Sequence, residues 1–178
     1  VLWIGMYGFD NTYGLVVRRE IAEKYNLKTY SDLKSVAGDL TFGAEYDFFE
    51  REDGYDALCE TYGLDFGKTM DLDIGLKYQA IRQGKIDVMV IFTTDGQLSA
   101  SDVVVLEDDK HFYPSYICGN VIRADVLEEY PELEAVFEKL NGLISDADMA
   151  AMNYAVETES KEPREVAEGF LQNHGLLQ

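Results

Sequence analysis

The chain has 178 residues, 47% of them hydrophobic, and a formal net charge of −19 from 34 acidic and 15 basic side chains. That length holds one domain or two small lobes with a real core, and the charge opposes binding to nucleic-acid phosphates or to an anionic membrane surface. Cys59 and Cys118 are too few for a disulfide framework or a zinc site and read as small buried thiols, and no run approaches the ~18 apolar residues of a membrane span.

In chain order, Val1-Leu2-Trp3-Ile4 is apolar from the first residue, which reads as part of a longer chain. Gly8 to Gly14 reads as a turn-prone loop carrying aromatics, followed by a buried strand at Leu15-Val16-Val17. Glu20–Tyr25 predicts a short helix, and Ser31 is placed as the cap of a second one at Asp32–Val36. Leu40–Ala44 predicts a strand, with helical segments at Asp47–Glu52 and Tyr55–Tyr62 and a short extended piece at Thr69–Asp73. Leu76–Gln83 predicts a helix with Leu76, Ala80 and Ile81 inward. Ile86–Phe92 is a continuous apolar run of the kind buried on both faces of a sheet. This alternation predicts an α/β layer with a largely parallel sheet, whose ligand would bind beyond the strand ends at Glu45-Tyr46 and Phe92-Thr93-Thr94-Asp95.

The remainder reads differently. Strands at Val103–Leu106 and Ile117–Ile122 precede helices at Ala124–Tyr130 and Glu132–Leu143. Ser145 caps a helix at Asp146–Val156, and Pro163 opens the last one. Two strands are too few for a sheet, so 98–178 reads as part of a lobe.

Chemistry is sparse. His111 and His174 are the only histidines and show no metal-ligand spacing, and no nucleophile elbow, P-loop or dinucleotide fingerprint occurs. A hydrolytic carboxylate pair, Glu45 with Asp95, is arithmetically available. Aromatics recur instead in the loops around Tyr13, Phe92 and Tyr116, and ring faces from several loops can wall a box for a quaternary ammonium.

Tyr7–Tyr13 with Leu15–Arg18, Leu40–Tyr46, Arg51–Tyr55, Ile74–Ala80, Thr93–Gln97, Leu106–Pro114 and Met152–Tyr154 together resemble the osmoprotectant (glycine betaine/carnitine/choline) substrate-binding proteins of ABC transporters. The resemblance runs over essentially the whole chain, with the motifs in order. It implies a type II periplasmic-binding-protein fold that closes on ligand by hinge motion, with no catalytic role, no cofactor and no metal. By that resemblance, 1–13 and 93–97 are hinge segments and 14–92 is a complete α/β lobe. Residues 98–178 are then the C-terminal part of the other lobe, without its N-terminal half.

The resemblance also implies the site. Tyr13 and Tyr116 match cage tyrosines, Asn11 a neighbouring polar contact, and Phe92 a position where many members have tyrosine. Thr93 lies beside it, and Arg51 matches a basic residue that pairs with a ligand carboxylate in some members. Read from its own neighbours, Glu50-Arg51-Glu52-Asp53, Arg51 is equally a surface ion pair. The implied partners are a small quaternary amine, with ergothioneine as an alternative ligand, and an ABC permease, separate or fused. The implied location is the extracellular face of the membrane or the periplasm, with a lipid anchor or a permease fusion as tether. Self-association of the chain, through uncovered apolar surface, is a further expectation.

Overall fold

The computed structural model describes residues 1–177. Its elements, in chain order, are β1 (Leu2–Asp10), β2 (Tyr13–Arg18), α1 (Arg19–Tyr25), β3 (Thr41–Ala44), α2 (Tyr46–Glu50), α3 (Tyr55–Tyr62), β4 (Lys68–Asp71), α4 (Lys77–Arg82), β5 (Val88–Phe92), β6 (Val103–Val105), β7 (Ile117–Ile122), α5 (Ala124–Glu129), α6 (Glu132–Glu138), α7 (Asp146–Glu157) and α8 (Pro163–Asn173). They form two compact units. One comprises 1–12, 93–97 and 115–178; the other comprises 13–92 and 98–114.

The second unit is built on a five-stranded sheet in the order β4-β3-β5-β2-β6. Residues alternate between faces along each strand, so Leu15, Val17, Val88 and Val90 join one buried layer while Val16, Met89 and Ile91 join the other. Helices cover both faces, which is why β5 is apolar at every position. The first layer is strongly aromatic: Phe42, fully buried, lies within ring-contact distance of Phe48, Phe49, Tyr55 and Phe66.

The expected largely parallel sheet is half right. β3 runs parallel to β4 and β5, but β2 is antiparallel to both β5 and β6. The segment carrying α1 from β2 to β3 therefore joins strands of opposite direction on either side of β5, whereas the β3–β4 and β4–β5 connections are parallel crossovers. The antiparallel register pairs Tyr13 with Phe92, which places the start of β2 at the edge of the sheet where β5 ends.

Three further expectations are corrected. Residues 98–114 are expected in the other lobe, yet β6 hydrogen-bonds to β2 and Val103 is buried with Val16, so this segment belongs to the α/β unit. Ser31 does not cap a helix. Its segment is a 3₁₀ turn, and its hydroxyl donates to Asp109 Oδ2 at 2.6 Å. In α4 the inward set is Lys77, Tyr78, Ala80 and Ile81, while Leu76 is 51% exposed.

The first unit has a two-stranded antiparallel sheet of β1 and β7. Gly8-Phe9-Asp10, expected as loop, is the end of β1. Gly8 sits at φ +116°, and a Cβ there would lie 2.8 Å from the Ile144 carbonyl oxygen, so glycine is needed on both counts. Among the described residues of this unit, Phe9 is the buried hydrophobic, while Leu2, Trp3, Met6, Ile117 and Val121 are exposed. The predicted cap at Ser145 is present as a capping box: its hydroxyl accepts from Asp148 N–H, and the Asp148 carboxylate accepts from Ser145 N–H.

Gly96 lies in the same unit against α7, where a Cβ would meet Tyr154 N at 2.5 Å and Asn153 C at 2.8 Å. This close approach lets Asn153 Nδ2 donate to the Thr94 carbonyl at 2.9 Å. Gly96→Ala is therefore expected to destabilise the unit by about 1–3 kcal/mol. A denaturant titration followed on Trp3, the single tryptophan and part of this unit, reads the loss.

Candidate functional site

The α/β unit gathers its candidate ligand residues at one edge of its sheet. Tyr13 opens β2, Phe92 closes β5, and Glu45 follows β3, which is where ligands bind in α/β sheets. The Tyr13 ring centroid lies 4.8 Å from that of Phe92, 5.6 Å from Phe48 and 5.4 Å from Tyr113. Tyr13, Phe48, Phe92, Ile74 and the carboxylate residues Glu45 and Asp47 line a recess of about 160 Å³. Ring faces and carboxylates both favour a cation, and the rings alone suit one that cannot donate hydrogen bonds. Burial raises the Tyr13 hydroxyl above its ordinary range, which keeps that wall uncharged.

Tyr13 is held from behind by a clasp that sequence reasoning missed. Asp108 accepts hydrogen bonds from the Tyr62 hydroxyl and from the backbone N–H groups of Phe112 and Tyr113, the last two at 3.0 Å. The Tyr62 oxygen in turn accepts from Lys110 N–H at 2.8 Å. The loop is thereby tied down with Tyr113 against Tyr13. Burial pushes the Tyr113 hydroxyl far above its ordinary range. The Leu106-Glu107-Asp108-Asp109-Lys110 run was visible in sequence, but nothing local shows which of its four charged residues turns inward.

Arg51 stands in the same unit with its guanidinium 5.7 Å from the Tyr13 ring centroid. Its Nε and Nη2 donate to the two carboxylate oxygens of Asp53 at 2.7 and 2.8 Å, a bidentate pair at a half-exposed site. The local ion pair forms, and the cation also stands beside the Tyr13 ring.

A second group of candidates lies within the other unit. Asn11, Thr94, Phe9, Tyr116, Met149 and Asn153 are among the residues around a cavity of about 480 Å³. Asp10 shapes its rim, accepting from the Tyr116 N–H and, at 2.6 Å, from the Ser115 hydroxyl. Asn11 donates its N–H to the Tyr116 carbonyl at 3.2 Å, and its carboxamide oxygen accepts from the Thr94 hydroxyl at 2.6 Å. That bond orients the carboxamide. Thr93 uses its hydroxyl on the Asp10 carbonyl at 2.7 Å, so it braces the segment carrying Asn11.

Asn11 and Tyr13 flank one chain crossing between the units, Phe92 and Thr93 a second, and Tyr113 and Tyr116 lie on either side of a third. The carboxylates of the hydrolytic alternative are divided: Glu45 belongs to the α/β unit, ion-paired with Lys77 at 2.8 Å, and Asp95 to the other. Among the described residues no cluster of His, Cys, Asp and Glu could hold a metal ion, and no helix is long and apolar enough to cross a membrane.

Two units joined by several chain crossings, with aromatic and polar residues flanking those crossings, define a solute-binding domain of the periplasmic-binding-protein class. The chain belongs to the family described as the substrate binding domain of the ABC-type glycine betaine transport system, which matches residues 1–173.

Among its relatives is the ergothioneine transport permease/ergothioneine binding protein EgtU of Helicobacter pylori, 43% identical over 176 residues that cover 99% of this chain and 32% of that protein. Another is the carnitine transport binding protein OpuCC of Listeria monocytogenes, 38% identical over 99% of this chain and 58% of the relative. A crystal structure described as a glycine betaine/carnitine/choline ABC transporter superposes with a TM-score of 0.85 at 40% identity, covering 99% of this chain and 65% of that one. The chain therefore spans between about a third and three-fifths of the curated relatives' length.

Proposed function

We propose that this chain is the solute-binding part of an ABC importer and captures a small quaternary-ammonium compatible solute: glycine betaine, carnitine or choline. The observation that carries the reading is the recess in the α/β unit, where the Tyr13, Phe48 and Phe92 rings meet the Glu45 and Asp47 carboxylates. Within the α/β unit Tyr13 and Phe92 supply π faces; within the other unit Tyr116 is proposed as a ligand-binding ring. Asn11, braced by Thr93, supplies a donor. Phe92 offers a π face but no hydroxyl.

A second reading, ergothioneine, shares the trimethylammonium and the carboxylate. It is favoured by the 43% identity to the Helicobacter pylori protein named for that ligand. Calorimetric titration with choline, glycine betaine, carnitine and ergothioneine decides between them. One of the four is expected to bind and to be recovered unchanged after denaturation. Binding of none, or turnover of any, would overturn the proposal.

Arg51 is proposed to hold the carboxylate of a zwitterionic ligand. A guanidinium has five N–H donors and can serve Asp53 and a ligand together. Arg51→Lys is then expected to weaken glycine betaine by about 1.5–3 kcal/mol, the range for hydrogen bonds to charged groups, and to leave choline nearly unchanged. Equal loss for both ligands in the same titrations would make Arg51 structural.

The proposed partner is a permease, and the proposed place is the extracellular face of the membrane or the periplasm. Tethering is by a lipid anchor or by fusion to the permease, and the Helicobacter pylori relative's name joins permease and binding protein.

A further inference from the structure

Lys77 is the one fully buried cation in the α/β unit, at 1% exposure, and no feature of the proposed cage requires it. It begins α4 where periodicity predicts an inward leucine one position earlier. Its Nζ lies 2.8 Å from Glu45 Oε1 and 5.3 Å from the centroid of the Phe92 ring. Glu45 and Phe92 both line the recess, whereas Lys77 does not. The ammonium therefore stands behind the recess and touches two of its walls. Burying a lysine is costly even when paired, and an apolar residue of similar volume is commonly tolerated as well or better. A charge kept in such a place invites a role beyond packing.

The electrostatic consequence is direct. Glu45 and Asp47 bring two negative charges to the recess, and Lys77 cancels one of them. Its ammonium also draws on the negative π face of Phe92, the same face potential that a ligand cation uses. A bare monocation in the recess meets this like charge. A zwitterion meets it less, because its own carboxylate offsets the repulsion. Repulsion against the wrong ligand is a recognised way to gain specificity.

We propose that Lys77 is a specificity-determining residue: a buried counter-cation, placed by Glu45 behind Phe92, that biases the recess against choline and toward carboxylate-bearing quaternary amines. This rests on the quaternary-ammonium reading above and adds the discrimination within it. Lys77 acts through Glu45 and Phe92, not by ligand contact.

The test is the ratio of choline to glycine betaine dissociation constants, titrated calorimetrically at pH 8, where free carboxylates are ionised. Lys77→Met is expected to shift the ratio toward choline by about two- to twentyfold, the span for a unit charge acting across a ring through effective dielectrics between ~80 and ~20. Glu45→Gln, which keeps the cation and removes the Glu45 charge, is expected to shift the ratio the opposite way. Lys77→Arg should leave it near the parent value. The opposed signs separate an electrostatic role from a packing role, which would weaken both ligands alike in every variant.

If Lys77→Met fails to fold, Glu45→Gln still tests the sign. Variants that bind both ligands at the parent ratio would overturn the inference and leave the proposed function standing. A parent protein that binds no quaternary amine would overturn both.

Discussion

Tyr13→Ala is expected to weaken binding of a quaternary-ammonium ligand by about 2 kcal/mol, or roughly thirtyfold, the range for a desolvated cation–π contact. The loss has two sources. The π face itself disappears, and the Phe92 and Phe48 rings lose the ring against which they are set at 4.8 and 5.6 Å. Tyr13→Phe retains the face and should cost far less, since burial already keeps the hydroxyl neutral. Asp108→Asn offers an independent check from the back of the clasp. It keeps the shape but weakens the acceptor for two backbone N–H groups, and so should loosen Tyr113 against Tyr13. Calorimetry on the three variants reads all of this; equal affinity in the parent and in Tyr13→Ala would remove Tyr13 from the cage.

Phe42→Ala is expected to destabilise the α/β unit by about 3–5 kcal/mol, the usual cost of emptying a buried phenylalanine site. Phe42 is fully buried, and four rings surround it, so the hole cannot be filled by one small side-chain shift. Phe48, one of those rings, also lines the recess, so ligand affinity should fall with stability. The measurement needs a probe in the right unit. Trp3 reports on the other one, whereas the near-ultraviolet dichroism of the packed tyrosines Tyr13, Tyr30, Tyr55 and Tyr62 reports on this one. A midpoint unchanged in that signal would show that the aromatic layer does not carry the unit's stability.

Local signals in the sequence suffice where the physics is local. The Ser145 box, the helix at Tyr55–Tyr62 and the uniformly apolar run that became β5 each depend on a few neighbours in the chain. The Tyr13, Phe92 and Tyr116 positions were also visible as aromatics beside turn residues at strand ends, and the structure puts the first two side by side across β2 and β5. Lys77 was hidden because a six-residue helix leaves its phase open: one step of rotation exchanges Leu76 for Lys77, and the partner that permits the exchange, Glu45, is distant in the chain. Asp108 was hidden for a similar reason, as its three donors come from Tyr62 and from a loop whose path it creates.

Composition and order of residues by themselves determined that this is an acidic α/β protein with aromatic strand-end loops, because periodicity, turn chemistry and net charge are properties of short stretches and sums. The family was legible only through the resemblance of its motifs, which the family match bears out. Only the tertiary structure decided that β2 runs antiparallel beside β5, that 98–114 completes the α/β unit, and that Arg51 is forked onto Asp53. It also decided that a buried lysine stands behind the recess. Each of these is a pairing between groups whose meeting depends on the path of the chain, and the low-dielectric interior then makes the choice of partner costly to change.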